Sequence, residues 1–235
     1  MCTGSGPGAF TPRQPPLSGK KYKSSGNPSI FFATPVSFLC IVNKDKANKQ
    51  PKDMKTFKVP TREEVSPANQ VLFDNLTKSI GKVPNLYAEM AVSSHALGAY
   101  LAFNTARTSL RPKEKEAINL VVSEVNKCEY CSSAHTALAK LNGYTDEQIL
   151  QLRGGSAPFD AKLDALVKYA KRAVETRGHV SGEVLDAFFA AGWTEENLID
   201  TILVIADKTF TNYLHAATKI PVDFPAIPRL TAEVA

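Results

Sequence analysis

The run Glu116-x11-Cys128-x2-Cys131-x3-His135 sets a carboxylate, two thiols and an imidazole in one short stretch, a combination suited to moving protons and electron pairs at sulfur. A thiol is a nucleophile only as the thiolate, and an ordinary pKa of about 8.5 leaves a few per cent ionised at neutral pH. The surroundings must therefore favour the anion. The segment Asn126-Lys127-Cys128-Glu129-Tyr130-Cys131-Ser132-Ser133-Ala134-His135, continued by Thr136 to Gly143, reads as a helix that opens near the first cysteine and stops on a glycine. Its N-terminus offers partial positive charge to both sulfurs, and Lys127 adds a cation beside the first. His135, four residues after Cys131, lies one turn away on the same face and can take its proton.

Glu116 precedes Cys128 by twelve positions, roughly 18 Å along an unbroken helix, which is out of reach. A reversal changes this. Pro112 suits a first helical position, Lys113 to Val125 reads as a helix, and Asn126-Lys127 as its stop. If the next helix folds back, Glu116 and His135 come level and the carboxylate can orient the imidazole. Nucleophile, base and orienting group then form one constellation. Glu114 and Glu124 compete for the carboxylate role, and a glutamate in the first turns of a helix is most often a solvated group.

With Cys-Glu-Tyr-Cys followed by Ser-Ser-Ala-His, this motif resembles the core of the AhpD-like alkylhydroperoxidase branch of the carboxymuconolactone decarboxylase family, over about Val59 to Ile227. The resemblance implies an all-α fold, assembly into homotrimers or homohexamers, and reduction of organic hydroperoxides by a cysteine pair cycling between dithiol and disulfide. It implies Cys131 as the peroxidatic sulfur, Cys128 as its resolving partner, His135 and Glu116 as the proton relay, no cofactor, and an external dithiol reductant of lipoyl or thioredoxin type. Some relatives carry histidine between the cysteines, where this chain has Tyr130.

Other readings compete. Cys-x-x-Cys with a histidine is half of a zinc site, but structural zinc wants four ligands and no second pair follows. Cys2 and Cys40 lie in a leader of different character. No metal is therefore expected. A lactone decarboxylase would use the scaffold for acid/base work on a carboxylated ring, leaving the cysteine pair idle, and a non-catalytic oligomer would use the thiols to bind metal or sense redox state.

The chain of 235 residues is 43% hydrophobic and 22% charged, enough for a sizeable core, and no apolar stretch reaches membrane-helix length. The net charge of +5 is unevenly spread: residues 1–53 carry eight Lys/Arg against two Asp, leaving 20 basic against 21 acidic residues beyond. Charge gives the core no affinity for nucleic acid. The expectation is a cytoplasmic enzyme with one helical domain over 54–235.

The leader, 1–53, is rich in Gly, Pro, Ser and Lys and reads as disordered or as an extension foreign to the working protein. Its apolar run from Ser29 to Val42 follows Lys20, Lys21 and Lys23 as in a targeting peptide, but Pro35 interrupts it. Met54 reads as a natural start, and a targeting leader is the alternative.

From Ser66 onward the hydrophobic spacing is helical. Ser66-Pro67 opens one helix that runs to Gly81, a second spans Pro84 through Ala106, Thr145 caps a short one that stops at Gly154-Gly155, and Asp160 caps another to about Arg177. The last long helix spans about Glu195 to Lys219 and ends before Pro221. His95 reads as a structural or exposed histidine and His215 as a core histidine, although the resemblance also implies His215 as a candidate for the site rim; the proline-rich tail from Pro221 reads as an extended arm that packs on the core or over a neighbour. Leu141-Asn142-Gly143-Tyr144-Thr145 is echoed by Ala190-Ala191-Gly192-Trp193-Thr194, 49 positions on, which suggests two related helical hairpins or convergence on one good turn.

Overall fold

The structure, a computed structural model, describes residues 56–228 and Leu230. The leader and its expected boundary at 53/54 lie outside the described residues. Nine α-helices and one short 3-10 turn at Arg62–Glu64 make up the regular structure of the described part, which contains no strand: α1 Pro67–Ile80, α2 Asn85–Met90, α3 Ala96–Asn104, α4 Pro112–Val125, α5 Glu129–Leu141, α6 Asp146–Gly154, α7 Ala161–Glu175, α8 Glu183–Ala190 and α9 Glu195–Thr218. The all-α expectation is met.

Most boundaries follow local chemistry. Ser66 accepts from the Asn69 N–H ahead of Pro67, and Gly81 ends α1 at φ 79°, a left-handed conformation that glycine adopts without penalty. Thr145, Asp160 and Thr194 each cap their helix with a side-chain oxygen. The single helix expected from Pro84 to Ala106 is instead two, with a turn at 91–95 between them. Ser93 causes the break, because its Oγ accepts from the N–H groups of His95 (3.3 Å) and Ala96 (3.2 Å) and so competes with helix continuation. Buried Asn69 locks the turn by donating to Ala91 O (2.8 Å) and Ser93 O (2.9 Å). An apolar stripe does not reveal this, since the residues on both sides of the break still face the core.

Helix α4 is the central element of the described residues, packed by α5, α6, α7 and α9, and its Ala117, Ile118, Leu120, Val121 and Val122 have no exposure. The first apolar cluster joins α4 to α6, α7 and α8 around Leu152, Leu166, Val167 and Phe188. A second gathers α1 to α3 around Leu86, Leu97 and Tyr100, and includes Cys128, Tyr130 and Cys131. The motif helix α5 therefore lies where the two clusters meet.

The echo at 49 positions is structural. Tyr144 Oη donates to Lys113 O (2.9 Å) and Trp193 Nε1 donates to Lys162 O (2.9 Å); each of these lysines lies over the same aromatic ring, at 4.5 and 4.4 Å from the centroid. Each lysine also donates to the glycine carbonyl of its turn, Gly143 and Gly192. Lys113 and Lys162 are themselves 49 positions apart, so α4-α5-α6 and α7-α8-α9 repeat one arrangement. The site carboxylate occurs only in the first copy, since Ala165 stands where the register would repeat Glu116.

After α9 the chain turns at Lys219 and runs extended through Pro228, on its own chain. Asn85 Nδ2 donates to Pro221 O (3.1 Å), Lys82 pairs with Asp223 (2.8 Å) and Arg153 donates to Pro228 O (2.9 Å). Among the described residues no helix is long and apolar enough to cross a membrane.

Candidate active site

The α4–α5 turn is built by Asn126 and Lys127, the latter at φ 54°, a conformation that costs a non-glycine residue about 1 kcal/mol. The Cys128 N–H reaches back to Ser123 O at 2.9 Å and closes the turn. Cys128 thereby becomes the N-cap of α5, its sulfur accepting from the Cys131 N–H at 3.3 Å. Both cysteines are free thiols, and their sulfurs lie 2.7 Å apart with Cys128 donating to Cys131.

The reversal also brings Glu116 to His135. Glu116 Oε2 lies 2.7 Å from His135 Nδ1, with both side chains nearly buried. The competing carboxylates are engaged elsewhere: Glu114 accepts from the Arg111 N–H in a capping box, and Glu124 pairs with Arg153 at 2.9 Å. Burial pushes the Glu116 carboxyl up, but His135 through charge and hydrogen bond, then Lys208 and Asn119, outweigh it and hold the group below its ordinary value.

The two thiols are driven apart in acidity. The hydrogen bond from Cys128 chiefly brings Cys131 down to about 6; burial opposes this, and Lys208, Asn212 and His135 support it. Cys128 is pushed up, first because it gives its hydrogen bond to Cys131 and then by burial. Cys131 is thus the thiolate of the pair at neutral pH and Cys128 the protonated partner.

Cys131, His135 and Glu116 open on one cavity of about 770 Å³, whose walls include Leu86, Tyr87, Tyr100, Phe103, Leu138 and Phe224. Cys128 does not line it. A small molecule in the cavity meets Cys131 first, with Cys128 behind it in bonding reach. Among the described residues no cluster of three or more His, Cys, Asp or Glu side chains is arranged to hold a metal ion.

Expected and observed surroundings differ in two respects. Lys127 is exposed and is not among the groups that tune either sulfur. The cation is Lys208 of α9, because the turn points Lys127 outward while the fold lays α9 across the sulfurs. Asn212, fully buried one turn beyond Lys208, lowers the pKa of both thiols, donates to Ser123 Oγ at 3.4 Å and accepts from Asn126 Nδ2 at 2.9 Å. Neither residue stood out in the sequence, because the buried side of α9 also carries Thr201, Asp207, Thr211 and His215 and so offers no apolar stripe for them to interrupt. His215 is buried with Nε2 3.2 Å from Ile220 O and stays off the cavity, and His95 is exposed. Tyr130 is an anchor: its Oη donates to Asp223 Oδ1 (2.6 Å), accepts from the Leu86 N–H (3.2 Å), and its ring packs on Phe224.

A helical fold holding a buried dithiol beside a carboxylate–imidazole pair defines a Cys-x-x-Cys protein of AhpD-like architecture. Residues 94–176 match the carboxymuconolactone decarboxylase family. Among solved structures it is similar to an uncharacterized peroxidase-related protein from Silicibacter sp. TM1040, at 23% identity and TM-score 0.61, covering 80% of this chain and 97% of that one. It is similar to the alkylhydroperoxidase AhpD core of an uncharacterized peroxidase-related protein from Ralstonia eutropha JMP134, at 19% identity and TM-score 0.65, covering 71% and 91%. The debrominase Bmp8, as a cysteine-to-alanine variant in complex with 2,3,4-tribromopyrrole, is similar at 18% identity and TM-score 0.60, covering 73% and 94%. At these identities the likeness speaks for the fold. No curated protein matches the chain.

Proposed function

We propose that the protein is a thiol-dependent peroxidase that reduces organic hydroperoxides through the Cys128/Cys131 pair. One observation carries this reading: two free sulfurs 2.7 Å apart, of which only the more acidic, Cys131, faces the apolar cavity. The Cys131 thiolate attacks the terminal oxygen of the hydroperoxide; the S–O bond forms, the O–O bond breaks, and the departing oxygen takes a proton to leave as an alcohol. Cys128 then attacks the sulfenic sulfur, the disulfide forms and water departs. An external dithiol of lipoyl or thioredoxin type restores both thiols. Glu116 holds Nδ1 of His135, which leaves Nε2 for proton exchange in the cavity.

The setting proposed is a homotrimer or homohexamer in a reducing cytoplasm. Support for assembly comes from apolar side chains exposed around the cavity, Leu141 at 83% and Ile80 at 56% among them. Steady-state turnover of several hydroperoxides with each reducing system tests the function. Wild type is expected to turn over with stoichiometric disulfide formation, and Cys131→Ser to be inactive; full activity in that variant refutes the reading.

A second reading, reductive removal of bromine from an aromatic ring, has the debrominase likeness and the aromatic cavity walls at Tyr87, Tyr100 and Phe103 in its favour. Bromide release from a bromopyrrole, without hydroperoxide turnover, would select it.

A further inference from the structure

Helix α9 carries an ammonium group into the wall of the cavity. Lys208 is 4% exposed and lines the same space as Cys131, Glu116 and His135. A lysine buried to that degree ordinarily has a carboxylate partner. Among the described residues it forms no ion pair: of the cavity carboxylates, Glu116 pairs with His135, while Asp207 accepts from Asn104 Nδ2 at 2.8 Å through Oδ2 and its Oδ1 is buried without a hydrogen-bond partner. Lys208 precedes Asn212, which also favours the Cys131 thiolate, by one turn on the same face, about 6 Å along the helix axis. Its charge acts on Cys131 and on Glu116 alike, so it lies among the reacting groups rather than at the rim. The other cavity lysines differ, since Lys82 is paired to Asp223 and Lys115 is half-buried.

Resting on the peroxidase reading, we propose that Lys208 is a catalytic residue that stabilises and protonates the oxygen expelled when Cys131 attacks a hydroperoxide. In that step negative charge passes from sulfur to the departing oxygen. An alkoxide released among apolar walls is severely unstable without a fixed cation, and a charge placed for the thiolate also serves the oxygen bonded next to it. The balance is simple. A sulfur electron pair forms the S–O bond, the O–O electron pair leaves with RO, Lys208 Nζ gives that oxygen a proton, the alcohol departs, and Nζ regains a proton from water.

The role requires that dependence on Lys208 track the leaving group. The experiment measures single-turnover oxidation of Cys131 in the full-length chain by cumene hydroperoxide, which expels an alkoxide, and by peracetic acid, which expels a far more stable carboxylate. Rates are taken at a pH where titration shows Cys131 fully ionised in each protein. Lys208→Met and Lys208→Gln are expected to lose about 100-fold with cumene hydroperoxide and less than about fivefold with peracetic acid, with Lys208→Arg retaining most of the rate. The ratio of the two rates within one variant is insensitive to partial misfolding. Equal losses with both oxidants overturn the proposal and reduce Lys208 to a support of the thiolate. A wild type inert to both oxidants overturns the peroxidase reading itself, a different outcome from the equal loss.

Discussion

Replacing Cys128 by alanine removes the strongest single influence on Cys131. The donated hydrogen bond spans 2.7 Å and is the main reason Cys131 is brought down to about 6, below the ordinary thiol range. A hydrogen bond to a charged acceptor is worth about 1.5–3 kcal/mol, which at 1.36 kcal/mol per pH unit corresponds to a rise of about one to two units. Lys208, Asn212 and His135 stay in place, so the midpoint is expected near 7 to 8 by that arithmetic. Thiolate ultraviolet absorbance followed against pH is the direct assay, with a Cys128→Ala/Cys131→Ser double variant subtracting Cys2 and Cys40. Reaction rate is a poorer readout. Intrinsic nucleophilicity rises with pKa, with a Brønsted slope of about 0.4–0.5, and so offsets much of the lost thiolate. Cys128→Ser, which keeps a donor and an N-cap acceptor, is expected to titrate close to wild type. The alanine variant also loses the cap and about 1 kcal/mol of stability, which urea denaturation reads separately. A midpoint that stays near 6 in Cys128→Ala would falsify the assignment of the sulfur–sulfur hydrogen bond as the source of acidity.

Three further variants carry expected outcomes. Glu116→Gln keeps the shape but removes the charge that orients His135, so kcat/KM is expected to fall by about 10²-fold, and unchanged peroxide kinetics would remove the relay from the mechanism. The same carboxyl is held below 4.5 in the fold, so its contribution to stability is complete above about pH 4.5 and is lost as pH falls through the lower folded value. Melting temperature against pH should accordingly decline less steeply in acid for Glu116→Gln than for wild type. Tyr130→Phe deletes the hydroxyl joining Asp223 to the Leu86 N–H and should cost about 1–3 kcal/mol with faster proteolysis in 221–228; an arm that remains as resistant as in wild type contradicts the anchoring role. Tyr144→Phe removes one bond to Lys113 O and should cost about 1 kcal/mol in urea denaturation, while a neutral result would make the repeated turn contact incidental.

Much of the fold is written locally. Caps at Ser66, Thr145, Asp160 and Thr194 and stops at Gly81 and Gly155 depend on residues within four positions, so the helix ends could be read directly. The reversal after Val125 was legible for the same reason, and with it the meeting of Glu116 and His135. The break at Ser93 was not, because Asn69, some 24 positions away, fixes it. The fit of Tyr130 to Asp223, 93 positions apart, is likewise invisible along the chain.

Residue type and spacing determined that sulfur chemistry lies at the start of α5, because a helix N-terminus and an i, i+4 histidine are short-range facts. Tertiary structure alone decided which cation faces the thiols and what the pair can reach. Those depend on α9 laying Lys208 and Asn212 against the sulfurs and on apolar walls drawn from helices distant in sequence. Charge acts through space, and only packing sets that distance.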